Sequence, residues 1–397
     1  MNILFLYGSA IDPEKGGIQR VTDVLTNCFI DRGISVFYLS LIRNSNNFNK
    51  ERQFFLPNQD ECLNIDNIDF LLRIIDNYKI DVVINQAGMH SQLSQLAYYA
   101  KEAGVKLISC IHNSFLSPIK HFDITYYNDA RKKGLHFLLP LTKIKIVKDT
   151  LLWFYKRKYQ DHYKSLYKNS DRVVLLSNSF KGELEFFLGK KVNENKVVAI
   201  SNPTSFAVSD ENKKYLGNKK KQILHVGRID IRQKRVDLLI EIWSKILPHF
   251  PDWILKIVGD GPDLVFIKNI VQQKGLNNVE FEGFKNPVEF YKDSPIFCMT
   301  SAYEGFGIVL VEAMTFGSIP LAFDSYASAS DIIDSGKNGF LIKPFDVDAY
   351  ATKVIELIQE ENKRIEIGQK CLLKAIDFTI DEIGQRWQNL FIDLFKN

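Results

Sequence analysis

Short apolar runs alternate along this chain with longer stretches in which apolar residues recur every three or four positions. In the first half, residues 3–7, 35–39, 82–85, 107–111, 173–176 and 197–200 read as buried strands, and helices fit between most of them, 19–31 and 93–102 included. In the second half the strand runs are 222–226, 254–258, 279–282, 296–299, 319–323 and 339–342. Strands alternating with amphipathic helices predict an α/β protein with two doubly wound parallel sheets. The joint falls in 201–221, where Asn202-Pro203-Thr204 ends a strand and a polar, lysine-rich run follows. Domains of 1–203 and 204–380 follow, with a final helix over 381–397 whose apolar stripe is Ile383, Trp387, Leu390, Phe391 and Leu394. Ligands of open α/β sheets bind beyond the carboxyl ends of the strands, so two such sheets facing one another predict a central cleft.

Composition sharpens this only a little. A chain of 397 residues exceeds what one hydrophobic core serves, and 46% hydrophobic with 25% charged residues excludes disordered and fibrous classes. Cys28, Cys62, Cys110, Cys298 and Cys371 are odd in number and widely spaced, which fits reduced core cysteines of a cytoplasmic protein. The apolar run at the start has no basic leader and no cleavage site, and no stretch reaches the length of a membrane span. A cytoplasmic or peripheral protein is expected.

The chemistry concentrates in a few turns. Glu304 and Glu312 stand eight positions apart and bracket Gly305-Phe306-Gly307-Ile308-Val309, a strand end running through a glycine turn into a buried helix. Unpaired amides at a helix start favour a diphosphate, and carboxylates accept from sugar and ribose hydroxyls. Upstream, Gly227-Arg228 and Lys234 add a planar fork and a point charge suited to phosphate. Gly16 and Gly17 allow a tight turn after the first strand, and His112 emerges at the carboxyl end of the strand 107–111. The turn Gly259-Asp260-Gly261-Pro262 lacks the third glycine of a dinucleotide fingerprint, Leu264 taking its place, and reads as a tight turn on the nucleotide side.

In this order the motifs resemble the retaining glycosyltransferases of family 4, which have the GT-B fold. The series continues through Ala313-Met314, Gly317-Ser318-Ile319-Pro320 and Asn338-Gly339-Phe340-Leu341. It covers nearly the whole chain, most strongly from about 223 to 345. The resemblance implies that Gly16 and Gly17 face the donor diphosphate and that His112 bonds the transferred sugar or orients the acceptor. It implies that Glu304 contacts the donor sugar and Glu312 the ribose, with amides of Phe306 to Val309 near sugar and phosphate. Phe284 and Lys285 fall in the base-binding loop, either as nucleobase neighbours or as a core phenylalanine and a solvated lysine. The last helix is implied to cross back to the first domain. Buried among apolar neighbours, Glu312 requires a ligand diol or a backbone donor.

The implied reaction is transfer of a sugar from a nucleoside diphosphate sugar, UDP being the commoner base, to an acceptor hydroxyl with retention. His112, Arg228, Lys234 and Glu304 are its catalytic candidates. No cofactor is expected, nor any metal: Asp346-Val347-Asp348 precedes a helix over 349–360, where aspartate is a normal cap, and Arg228 and Lys234 carry the leaving-group charge. The net charge of +4 is uneven, residues 1–203 holding 27 basic against 20 acidic side chains. Residues 131–168 hold eleven basic against two acidic, interleaved with Leu151, Leu152, Trp153, Phe154 and Tyr155. That segment suits either an anionic membrane surface or a solvated face of a core helix. A glycan or lipid-linked acceptor of bacterial surface polysaccharide assembly is expected, and nucleic acid is not. A nucleotide-sugar epimerase or a catalytically silent relative remains as an alternative.

Overall fold

The computed structural model describes residues 1–397 apart from 15, 46, 49–50, 121, 126–129, 131–132 and 397. It divides into two compact units, the first made of Met1–Phe115, Trp153–Pro203 and Ile380–Asn397, the second of Leu116–Leu152 and Thr204–Thr379.

The first unit is built on seven parallel strands: β1 (Asn2–Ser9), β2 (Ser35–Ile42), β3 (Gln53–Phe55), β4 (Val82–Asn85), β5 (Lys106–Ile111), β6 (Arg172–Leu175) and β7 (Val197–Ala199). Their order is β3-β2-β1-β4-β5-β6-β7, so the winding reverses between β1 and β4. Helices cover both faces, which is why Ile3 to Leu6 and Val82 to Ile84 are apolar without alternation. On one face helix Gly17–Asp31 meets the last helix, Ile380–Phe395, where the Trp387 and Phe391 rings stand edge-on to Phe29 at 6.0 and 5.3 Å. The stripe Ile383, Trp387, Leu390, Phe391 and Leu394 is buried there. At about 1.5–3 kcal/mol per large apolar side chain, that burial fixes the end of the chain to the first sheet, as the family resemblance implied. Helices Ile65–Asn77 and Ser91–Glu102 cover the other face.

The second unit carries β8 (Gln222–Val226), β9 (Ile254–Val258), β10 (Val279–Gly283), β11 (Ile296–Met299), β12 (Ile319–Phe323) and β13 (Phe340–Ile342), ordered β10-β9-β8-β11-β12-β13 and all parallel. Its winding reverses between β8 and β11.

Two features depart from the sequence reading. The edge strand β3, three residues long, is too short to show a period. The joint at 201–221 is not a free tether. Asp210–Tyr215 forms a 3-10 helix, Asn212 Nδ2 donates to the Thr315 carbonyl at 2.8 Å, and Tyr215 packs edge-on to Phe316. Lys219 is tied into the second unit, its ammonium donating to the carbonyls of Tyr291, Lys292 and Phe316 at 3.1, 3.1 and 2.9 Å. Composition marked this run as polar; its amides and ammonium are nonetheless satisfied by helix ends, a tertiary arrangement that composition does not report. Asp346 caps helix Val347–Gln359 through the Ala349 amide at 3.0 Å, and Asp348 pairs with Lys245.

Candidate active site

The residues singled out in the second half converge where the second sheet reverses its winding. After β8 the chain turns at Gly227-Arg228 and continues through a loop organised by Asp230, which is 2% exposed and accepts from the amides of Arg232 and Gln233 at 2.8 Å each. The Arg228 guanidinium lies 3.2 Å from both the Asp230 carboxylate and Gln233 Oε1. After β11 comes the turn holding Glu304. Lys234 Nζ meets Glu304 Oε1 at 2.6 Å, with side chains 16% and 9% exposed. Gln233 ties the two loops together, its carbonyl accepting from the Ala302 amide at 2.7 Å and its Nε2 lying 3.3 Å from the Tyr303 carbonyl. Thr300 Oγ1 donates to the Lys234 and Arg235 carbonyls.

Beside this cluster helix Ile308–Thr315 begins at Gly307, whose φ of 89° is the left-handed conformation that favours glycine. No side chain caps this start and no acidic residue stands in its first turn. The first turn of this helix therefore has no side-chain cap, and uncapped helix starts of this kind favour anions. Gly305 belongs to the turn and Ile308 and Val309 to the first turn of the helix, while the Phe306 ring is turned into the core against Phe378. Gly259 supports the arrangement by close backbone approach: a Cβ there would lie 1.9 Å from the Gly227 carbonyl oxygen. The β8 and β9 loops are held together by Gly227 N to Val258 O and Ile229 N to Asp260 O.

Glu312 is 2% exposed, and the Tyr291 hydroxyl donates to its Oε2 at 3.0 Å. A phenol therefore satisfies part of what the sequence assigned to a ligand diol or a backbone donor. Phe284 is 82% exposed, which excludes a core role, and Lys285 pairs with Glu282 at 2.8 Å.

In the first unit Gly16 and Gly17 open helix Gly17–Asp31, again with no side-chain cap and no acid in the first turn; Gln19 Nε2 reaches Ser9 Oγ at 3.2 Å. His112 follows β5, and its Nε2 lies 2.6 Å from Gln86 Oε1. Burial pulls its pKa down to about 4, so the ring is neutral at neutral pH. Asp230, Gln233 and Gln86 were not found from sequence; a polar residue whose partner lies dozens of positions away carries no local signal. Among the described residues no group of three or more His, Cys, Asp or Glu side chains is arranged to hold a metal ion.

His225 is fully buried behind the cluster, its Nδ1–H donating to the Cys298 carbonyl at 3.0 Å. Burial, opposed by the hydrogen bond to the Cys298 carbonyl and assisted by the Lys234 charge, lowers its pKa from 6.5 to about 4. The folded state holds this ring neutral while the unfolded chain takes up a proton below 6.5. Stability is therefore lost as pH falls from about 6.5 toward 4, by at most about 1.4 kcal/mol per pH unit for this one group. Urea midpoints at pH 7.5 and 5.0 are expected to differ more in the natural protein than in His225→Asn; equal gaps would contradict it.

Sequence and structure comparisons meet this geometry. Residues 15–206 match the family model "Glycosyltransferase Family 4", and residues 208–371 match "Glycosyl transferases group 1". The chain belongs to the GT-B glycosyltransferases of the family 4 type. It is 28% identical over 222 residues to an uncharacterized glycosyltransferase of Haemophilus influenzae, covering 55% of this chain and 61% of that one. It is 31% identical over 170 residues to the poly(ribitol-phosphate) alpha-N-acetylglucosaminyltransferase of Staphylococcus aureus, covering 42% of this chain and 34% of that protein. The matched stretch is thus less than two thirds of either relative. Anabaena HepE in complex with UDP has the same fold, with a TM-score of 0.73 and 18% identity over 99% of this chain and 100% of that one. In this GT-B glycosyltransferase the loops that carry Gly227-Arg228 and Glu304 follow β8 and β11, the two strands between which the second sheet reverses its winding.

Proposed function

We propose that the protein transfers a sugar from a nucleoside diphosphate sugar, a UDP-sugar foremost, to a hydroxyl of a glycan or lipid-linked acceptor in bacterial surface polysaccharide assembly, with retention at the anomeric carbon. The convergence of Arg228, Lys234 and Glu304 beside the uncapped start of helix Ile308–Thr315 carries this reading. Breaking the bond between sugar and phosphate places negative charge on the departing diphosphate, and preorganised cations and amides stabilise that charge more than they stabilise the bound donor. Arg228 and Lys234 are assigned to the diphosphate, Glu304 to a sugar hydroxyl, Glu312 to the ribose and Phe284 to the base. No side chain is assigned as nucleophile; the acceptor attacks from the face the diphosphate leaves, and a diphosphate oxygen takes its proton. Thermal shift and calorimetry with UDP test the donor half, because a ligand of the folded state raises its melting point. Release of UDP only when an acceptor is present separates transfer from epimerisation. Absence of UDP binding would remove the donor reading.

Peripheral contact with an anionic membrane belongs to the same reading. Of the segment 131–168, Arg131 and Lys132 lie outside the described residues. In the 3-10 helix His136–Lys143, Phe137, Leu138 and Leu141 are exposed, and in helix Lys145–Asn169 so are Ile146, Trp153 and Phe154. Lys145, Lys148, Arg157 and Lys158 are exposed on the same helix. Apolar side chains with basic neighbours fit the interfacial layer of an anionic bilayer. Among the described residues no helix is long and apolar enough to cross a membrane. The protein is expected to float with anionic liposomes at low salt, with a blue shift of tryptophan emission that Trp153→Ser diminishes; sedimentation without lipid would contradict it.

A further inference from the structure

Helix Lys145–Asn169 ends where β6 begins, at the edge of the first sheet opposite to the carboxyl ends at which open α/β sheets take ligands. Its last turns and the loop that leads from helix Lys181–Leu188 into β7 border a cavity of about 550 Å³. Lys164, Tyr167, Lys168, Leu188, Lys190 and Lys196 line it. Four of these side chains are cationic and none is acidic.

Neighbouring lysines are paired. Lys101 meets Asp171 and Lys191 meets Glu185, each at 2.9 Å, and Lys181 pairs with Glu194. Asp171 and Glu185 are committed further, to the amides of Leu107 and Val192 at 2.8 and 3.1 Å. Among the described residues none of the four cavity lysines forms an ion pair. Their contacts are neutral ones: Lys164 Nζ donates to Gln160 Oε1 and Lys196 Nζ to the Lys168 carbonyl, each at 3.3 Å. The ammoniums of Lys190 and Lys196 lie 5.6 and 5.0 Å from the centre of one ring, that of Tyr167. Burial, and then the charges of Lys101, Arg172 and Lys190, hold the Lys196 ammonium below the ordinary lysine range, against the pull of Asp171. The dipole at a helix end accounts for Lys164 and Lys168. It does not account for Lys190 and Lys196, which come from another segment and add to the same excess of positive charge.

The kind of anion follows from the kind of cation. Lysine is a point charge without the planar fork that fits one phosphate bidentately, and no arginine lines the cavity. Point charges set around an open volume suit a chain whose anionic groups recur. A bilayer is a poor match, because among the described residues no large apolar side chain is exposed between 155 and 264. Single-stranded nucleic acid stacks its bases on free aromatic faces, whereas the Tyr167 ring already holds two ammoniums.

We propose that this cavity is a second binding site of the first unit, which takes a soluble chain of phosphate groups, a polyphosphate or phosphodiester backbone, on Lys164, Lys168, Lys190 and Lys196. It rests on the glycosyl-transfer reading only for its use: in that reading the chain is a phosphate-bearing acceptor, gripped at a distance from its reacting end.

The experiment titrates long-chain inorganic polyphosphate into the full chain, its Lys168→Gln/Lys190→Gln variant and a charge-matched Lys274→Gln/Lys337→Gln variant, whose lysines are exposed on the second unit. Lys168 and Lys190 are exposed as well, so both variants are expected to melt with the natural protein. Polyphosphate is expected to bind the natural protein and the second-unit variant equally, and the Lys168→Gln/Lys190→Gln variant at least about tenfold more weakly. Raising salt from about 50 to 200 mM is expected to weaken binding to the natural protein at least about tenfold, as counterion release requires. UDP is expected to raise the melting point of all three proteins and to leave polyphosphate bound. Equal polyphosphate affinity in the natural protein and the Lys168→Gln/Lys190→Gln variant, or displacement of polyphosphate by UDP, overturns the site. So does tighter binding of oligothymidine or of phosphatidylglycerol vesicles that the same variant loses, since the occupant is then a nucleic acid or a membrane. Should that variant melt early, Lys164→Gln, a single exposed change, takes its place with an expected loss of about threefold. Polyphosphate binding with no effect of UDP would instead sink the donor reading and leave the cavity standing.

Discussion

Arg228→Ala is expected to lower turnover about 10²- to 10³-fold while leaving the melting temperature nearly unchanged, the loss typical of removing one preorganised group from developing negative charge. The side chain of Arg228 is 55% exposed, and its partner Asp230 keeps two backbone amides when the guanidinium is gone. A half-exposed ion pair of this kind contributes no more than about 1 kcal/mol to folding. Arg228→Lys should recover part of the rate, since an ammonium keeps the charge without the fork. Steady-state rates with a nucleotide-sugar donor, beside calorimetric melting curves, provide the check. Turnover near that of the natural protein would remove Arg228 from the diphosphate site.

A different outcome is expected at the buried pair. Lys234→Met strands the Glu304 carboxylate in a setting where only 9% of its side chain is exposed, at a cost of about 3–5 kcal/mol. Adding Glu304→Gln to Lys234→Met should restore most of that stability, because no uncompensated charge is then left. Activity should stay lost in both single variants and in the double one, since the cation is needed at the leaving group and the carboxylate at the sugar. Urea midpoints around the full cycle give the coupling directly. If Lys234→Met unfolds at the same urea concentration as the natural protein, the pair is solvated and its role in holding the site ready falls away.

Most of the scaffold was legible because parallel strands covered on both faces are written as continuous apolar runs. β4, β8, β9, β11 and β12 begin and end where those runs do. β3 was not legible, since three residues at a sheet edge have neither length nor period. In the candidate site, residues announced by turns and glycines stood out, as with Gly227-Arg228 and the segment from Glu304 to Glu312. Those defined by a distant partner did not: Gln233 works across 70 positions to Tyr303, and Gln86 across 26 to His112. The joint at 201–221 misled for a related reason, because lysine reads as solvent-facing until the carbonyls that receive it are known.

Those carbonyls bear on the uncapped helix start. Phe316, one of the three that hold Lys219, immediately follows helix Ile308–Thr315, whose other end begins at Gly307. Eight residues span about 12 Å, so an ammonium at the rear acts as a bolt on a short rod. A substitution at Lys219 is expected to loosen the front of that rod from behind, so a lysine outside the candidate site bears on its geometry.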